Sequence, residues 1–201
     1  MPFDLRRHLL TGQVIPALPL ALDRRRRWDE RRQRALVRYY VDAGAGGLAV
    51  GVHSTQFAIR DATVGLYTPV LKLAAESAAA WQPKRPRDFV LIAGLCGRTA
   101  QARAEANVAT GLGYHAGLLS LGAWASDPEK QILAHCRAIA REIPLIGFYL
   151  QPAVGGRVLS YRFWRAFAEI SQLVGVKIAP FNRYRTIDVV RAVLEAEIKA
   201  F

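Results

Sequence analysis

The sequence predicts an α/β fold, and three observations carry that reading. Short apolar runs alternate with longer amphipathic ones along the 201 residues. The apolar runs show no strict alternation of apolar and polar positions, as expected for parallel strands covered on both faces. Strand and helix patterns follow one another as consecutive βα units at a spacing of roughly 30 residues, which α/β folds require. Two architectures satisfy this pattern: an open doubly wound sheet, or part of a (β/α)8 barrel.

Each element has its own warrant. Val14 to Leu20 reads as a first strand despite Pro16 and Pro19. Asp29 to Ala43 has helical periodicity, with Leu36, Val37, Tyr40 and Val41 on one face and Gly44 closing it. Gly47 to Val52 is a second strand and Thr68 to Trp81 a second helix. Phe89 to Ala93 is a third strand, followed by a helix from Thr99 to Thr110 that Gly111 ends. Ala116 to Leu121 is a fourth strand. Asp127-Pro128-Glu129 then opens a helix to about Glu142, with aspartate as N-cap and proline in the first turn. Leu145 to Leu150 is a fifth strand, and Ser160 caps a helix from Tyr161 to about Ile170. Leu173 to Ile178 is the sixth strand, and Thr186 to about Lys199 the last helix.

Composition narrows the function classes. A hydrophobic content of 52% is that of a globular chain. No apolar run reaches the roughly 18–20 residues that span a bilayer. Arg6 and Arg7 precede only a brief apolar stretch, which Thr11-Gly12-Gln13 interrupts, so no signal peptide is expected. Cys96 and Cys136 lie in no metal or CxxC spacing and read as reduced, buried thiols, which places the chain in the cytoplasm. The net charge of +12 includes a run from Arg24 to Arg27, then Arg31, Arg32, Arg34 and Arg38. Such a patch attracts polyanions. No aromatic interleaving, zinc motif or helix-turn-helix accompanies it, so it reads as a solvated face and nucleic acid is not expected as a partner. His8, His53, His115 and His135 are scattered without paired ligand spacing, so no metal and no cofactor are expected.

Lys177 is the chemically loudest residue. It sits in Leu173-Val174-Gly175-Val176-Lys177-Ile178-Ala179-Pro180, otherwise a buried-strand pattern. Desolvation there would favour a neutral amine able to attack a carbonyl, the property of a Schiff-base lysine. A lysine just past the strand end with its head in water is the alternative, and the segment taken alone favours it. No GxGxxG follows the first strand and no Walker A motif occurs, so a nucleotide-binding open sheet has no direct support. Barrels gather catalytic groups at the C-terminal strand ends. His53 and Ser54, Tyr149, and Lys177 all fall near such ends.

These residues carry a resemblance. Asp42-Ala43-Gly44-Ala45-Gly46-Gly47-Leu48-Ala49-Val50, Phe148-Tyr149-Leu150-Gln151-Pro152 and Val174-Gly175-Val176-Lys177 resemble motifs of the dihydrodipicolinate synthase / N-acetylneuraminate lyase family, the class I, pyruvate-handling (β/α)8 lyases. Tyr149 and Lys177 stand 28 positions apart, as in that family. The resemblance implies that Lys177 condenses with pyruvate or a related 2-oxo acid, and that the imine serves as electron sink for making or breaking a carbon–carbon bond with an aldehyde-type partner. It implies that Tyr149 shuttles protons. The alternative for Tyr149 is a core aromatic with a satisfied hydroxyl. The resemblance also implies a homo-oligomer.

Three departures separate the chain from that pattern. Where the family has Gly-Thr-Thr-Gly-Glu, holding the pyruvate carboxylate, this chain has Val52-His53-Ser54-Thr55-Gln56. His53, Ser54 and Thr55 are therefore the expected carboxylate binders, by amides, hydroxyls and a protonated imidazole. Leu121-Gly122-Ala123-Trp124 replaces Pro-Pro-Tyr-Tyr, and a tryptophan relays no proton. Val154 aligns with the arginine that reads the synthase's second substrate, and Arg157 lies three positions on. The expectation is a divergent lyase or aldolase other than dihydrodipicolinate synthase. The chain ends after the sixth unit, so it is expected to form one incomplete barrel domain over 1–201, truncated at the C-terminus, with 1–11 as an N-terminal extension. An inactive fragment or an interaction module remains the alternative.

Overall fold

A computed structural model describes residues 3–84 and 87–198. Seven helices and five strands follow one another among them: α1 (Leu5–Leu10), α2 (Glu30–Asp42), β1 (Gly47–Val50), α3 (Tyr67–Trp81), β2 (Val90–Leu95), α4 (Thr99–Gly111), β3 (Ala116–Leu119), α5 (Glu129–Ala140), β4 (Leu145–Leu150), α6 (Tyr161–Ala168), β5 (Leu173–Ala179) and α7 (Arg183–Ile198). The strands lie in one sheet in chain order, β1 to β5, and β1 pairs with β2, and β4 with β5, in parallel. The α/β expectation holds. Lys199, expected to end the last helix, lies outside the described residues.

The expected first strand is the main correction to the elements. Residues 14–18 run beside β1: the amides of Gly46 and Ala49 donate to the carbonyls of Val14 and Pro16, at 2.9 Å each, and Leu18 donates to Ala49 at 2.8 Å. Only a single bridge, Ala17 to Ala49, is regular. Pro16 and Pro19 have no N–H to continue a ladder. Fully buried Gln33 of α2 takes over: its Oε1 accepts from the Ala21 amide at 2.8 Å and its Nε2 donates to the Pro19 carbonyl at 3.0 Å. A glutamine thus supplies the hydrogen bonds that strand pairing would otherwise provide.

The chain divides into two compact units, residues 1–94 with 108–117, and residues 95–107 with 118–201. In the first, β1 is buried along its whole length, and Val37 and Val41 of α2 and Val70, Leu71 and Ala74 of α3 are buried. A Cβ on Gly94 of β2 would run into the Gly51 backbone, so glycine permits that close approach. Helix α1, in the expected N-terminal extension, is held by His8, which is 7% exposed with Nε2 at 2.7 Å from the Gly46 carbonyl.

In the second unit, Ile132, Cys136 and Ile139 of α5 and Phe163, Trp164 and Phe167 of α6 form the core with β4. Ser160 caps α6 as expected, its Oγ accepting from the Phe163 amide at 3.1 Å. Asp127 does not cap α5: Pro128 holds that position without a side-chain bond, and Asp127 pairs with Arg98 at 2.9 Å instead. The final strand departs most from its apolar sequence. Every residue of β5 is only partly buried except Lys177, which is exposed. Cys136 is buried as expected, whereas Cys96 is only half-buried.

Candidate active site

Register decides which side chains meet at β4 and β5. Phe148 pairs with Lys177 and Tyr149 with Ile178. Successive strand residues point to opposite faces, so Lys177 shares a face with Phe148 and Tyr149 takes the other. The contacts agree. The Lys177 ammonium nitrogen lies 4.9 Å from the Phe148 ring centroid, a cation–π contact. Tyr149 packs on Trp164 of α6 at 4.8 Å between centroids, and a Cβ on Gly147, two residues back, would meet the Phe167 ring at 2.6 Å. Tyr149 is 1% exposed, and its hydroxyl oxygen accepts from the Leu159 amide at 3.4 Å.

Two expectations are therefore corrected. Lys177 is not desolvated, because it lies on the least covered strand with its side chain exposed. Tyr149 is not beside it. The tyrosine is the core aromatic with a satisfied hydroxyl, and Phe148, which carries no proton, occupies the place next to the amine.

The loop after β1 belongs to the other unit. His53–Thr55 forms a single 3-10 turn. Its first two residues are exposed, and His53 leans on Phe57 at 5.6 Å. Thr55 is fully buried, and its hydroxyl is committed: it donates to the Leu18 carbonyl at 2.7 Å and accepts from the Gly51 amide at 3.0 Å. Thr55 therefore ties the loop down and offers no free hydroxyl to a ligand, which corrects its expected binding role. His53 and Ser54 are exposed, and among the described residues neither side chain is seen in a hydrogen bond.

Arg60, which the sequence did not single out, closes the same region. Its guanidinium donates to the carbonyls of Gly51 at 2.9 Å and Gly94 at 2.8 Å and lies 4.5 Å over the Tyr67 ring. The Tyr67 hydroxyl donates to the same Gly94 carbonyl at 2.9 Å. One arginine joins the C-terminal ends of two strands, and nothing in its sequence neighbourhood announces this.

The loop after β3 carries a second arginine clamp. Arg157 donates to the carbonyls of Trp124 at 2.9 Å and Asp127 at 2.7 Å. Its guanidinium thus braces this chain's own backbone. It also lines a small pocket with Ser120, Gly122, Phe148, Tyr149 and Leu159 at the ends of β3 and β4. Trp124 is 9% exposed, stacked on His135 at 4.7 Å and covered by Arg98 at 4.4 Å.

His135 is 2% exposed, with Nδ1 at 3.0 Å from the Thr99 hydroxyl. Burial, and secondarily the Arg98 charge, push its pKa down from 6.5 to about 4. The folded state thus prefers the neutral imidazole. Its contribution to stability is complete above the unfolded pKa of 6.5 and is lost as pH falls from there through about 4. Relative to a His135→Leu variant, the wild type is expected to lose at most about 3 kcal/mol over that window. Urea midpoints of both proteins across pH 4–7 measure the difference, and identical pH slopes would refute it.

Among the described residues no group of three or more His, Cys, Asp or Glu side chains could hold a metal ion, and no helix is long and apolar enough to cross a membrane.

No family profile matches the chain, and no curated protein matches it. Solved structures do. Dihydrodipicolinate synthase from Acinetobacter baumannii, complexed with pyruvate, is 23% identical with a TM-score of 0.78, over 92% of this chain and 61% of that one. The synthase from Cyanidioschyzon merolae, with lysine bound, is 20% identical with a TM-score of 0.77, over 90% and 60%. N-acetylneuraminate lyase from Mycoplasma synoviae is 18% identical with a TM-score of 0.72, over 89% and 59%. The chain thus has the (β/α)8-type fold of these lyases and spans about 60% of their length.

Proposed function

We propose that this chain carries the Schiff-base centre of a lyase or aldolase acting on pyruvate or a related 2-oxo acid. The observation that carries the reading is the placement of Lys177. It is an exposed primary amine in the C-terminal half of β5, on the sheet face away from α6, in a fold shared with the synthase and lyase structures. After the ammonium gives a proton to solvent, the amine attacks the ketone carbon, the carbinolamine loses water, and the iminium takes up the electron pair of the bond between its α-carbon and the next carbon, leaving an enamine and releasing the aldehyde; addition runs the same steps in reverse. With Tyr149 on the opposite face, the proton shuttle is a group other than this tyrosine. His53 and Ser54, exposed in the loop after β1, are proposed as carboxylate binders.

We infer a reaction other than dihydrodipicolinate synthesis. Trp124 stands at the position of the resemblance's relay tyrosine, packed between His135 and Arg98, and an indole relays no proton. A cytoplasmic, homo-oligomeric enzyme accords with it. Borohydride reduction in the presence of pyruvate is expected to fix the keto acid on Lys177, read by peptide mass spectrometry. A folded sample without adduct, across several 2-oxo acids, sinks the proposal and favours an inactive fragment.

Phe181 supports a ligand at this end of β5. It is 83% exposed and sits at φ 49°, a left-handed conformation that a bulky residue adopts at a cost of about 1 kcal/mol or more. Phe181→Gly is expected to raise stability by up to about 1 kcal/mol while weakening 2-oxo acid capture. Thermal melts and trapping yields measure the two effects, and unchanged capture removes Phe181 from the site.

A further inference from the structure

Carbonyl oxygens gather where β1 and β2 end. Those of Gly51 and Gly94 lie side by side, since a Cβ on Gly94 would run into the Gly51 oxygen. Two negative dipole ends repel an anion. Arg60 reverses that sign. One guanidinium nitrogen, Nη2, donates to both oxygens, at 2.9 Å and 2.8 Å. The oxygens are satisfied and a whole positive charge is left over, because a guanidinium is not deprotonated in proteins. The guanidinium lies over the rings of Phe57 and Tyr67, at 5.6 Å and 4.5 Å. Arg60 is half-buried, so salt screens its charge less than that of a surface arginine.

The same arginine fixes the loop that carries His53 and Ser54. It reaches back nine positions to Gly51, where the chain leaves β1, so the segment closes on itself. Thr55 pins the middle through Leu18 and Gly51. Phe57 touches both Arg60 and the His53 ring, each at 5.6 Å. Gln56 stands between the 3-10 turns His53–Thr55 and Phe57–Arg60 at φ 73°, which costs a non-glycine residue about 1 kcal/mol or more. Strain held by buried ties is a mark of pre-organisation. From Gly51 to Tyr67 the one acidic residue is Asp61, which is exposed. We propose that Arg60 is the positioning residue that makes this loop an anion site, and that its charge gives the loop a preference for carboxylic acids over uncharged carbonyl compounds. Arg60 acts through His53 and Ser54, by cancelling the carbonyl dipoles beneath an anion and by holding the turn that presents both residues. That the acid is a 2-oxo acid rests on the Schiff-base reading above, whereas the preference for a carboxylate does not depend on Lys177.

Lactate has the carboxylate of pyruvate but no ketone, so it forms no imine and probes the loop alone. Titrating the full chain with lactate is expected to shift the NMR signals of the His53 ring to saturation, and methyl lactate, which lacks the charge, is expected to leave them in place. Arg60→Gln is expected to weaken lactate binding at least about 10-fold. Arg60→Lys keeps the charge and is expected to weaken it by less than about 3-fold. In the wild type the Arg60 guanidinium signals are expected to follow the same titration curve, a readout that no misfolded variant can confound. The proposal is overturned by a wild type that does not saturate, by equal responses to lactate and its ester, by static Arg60 signals, or by a glutamine variant as tight as the wild type. Equal losses in the lysine and glutamine variants overturn it too, because a purely structural tie is indifferent to charge. Lactate binding without a pyruvate adduct at Lys177 leaves this proposal standing and sinks the Schiff-base reading, and an adduct without lactate selectivity does the reverse.

Discussion

Replacing Lys177 with arginine is expected to abolish borohydride trapping and to lower any pyruvate-dependent carbon–carbon lyase activity by at least about 10³-fold. Arginine keeps the positive charge and the contact with the Phe148 ring. It cannot form the imine, because its guanidinium is not deprotonated in proteins. The substitution therefore separates covalent chemistry from electrostatics, which an alanine would not. Lys177 is exposed and arginine keeps its contact with the Phe148 ring, so the variant should melt within about 2 °C of the wild type. Residual adduct at another lysine in the variant would show that trapping is adventitious and would remove Lys177 from the mechanism.

Trp164→Ala is expected to destabilise the fold by about 3–5 kcal/mol, a large share of the roughly 5–15 kcal/mol a domain possesses. Trp164 is 2% exposed and touches Tyr149, Phe163 and Phe167 within 4.8–5.5 Å between ring centroids. Its removal leaves a cavity between α6 and β4. Trp164→Phe should cost far less, because the buried indole N–H finds no acceptor among the described residues and its deletion relieves that penalty. Denaturant midpoints for the two variants measure the contrast. Equal losses would mean that a smaller ring restores none of the packing and that the indole N–H is satisfied in the folded protein.

The helices and most strands were legible because hydrophobic periodicity and caps are local signals. Ser160 and Gly44 fall where the pattern put them, and Lys177 falls on the predicted strand. Exposure was not legible. The run around Lys177 reads as buried because its residues are apolar, yet burial depends on what lies across the sheet edge, which no local pattern contains. The side on which Tyr149 projects was equally hidden. A motif fixes its distance along the chain to Lys177, whereas strand register fixes the face, and one position of slip reverses it. Thr55 and Arg60 fail for a related reason. Their hydrogen bonds reach 37 and 34 positions along the chain, to Leu18 and Gly94, and no spacing rule foresees them.

The register of β4 against β5 also sets how easily the chemistry beside Lys177 can change. Phe148 and Tyr149 are consecutive, and only the first faces the amine. Exchanging the two side chains leaves composition, ring count and approximate core volume unaltered, yet delivers a phenol to the lysine. A catalytic hydroxyl is thus one transposition away, and the ancestry of this site can be asked in the laboratory as a question of order within a dipeptide.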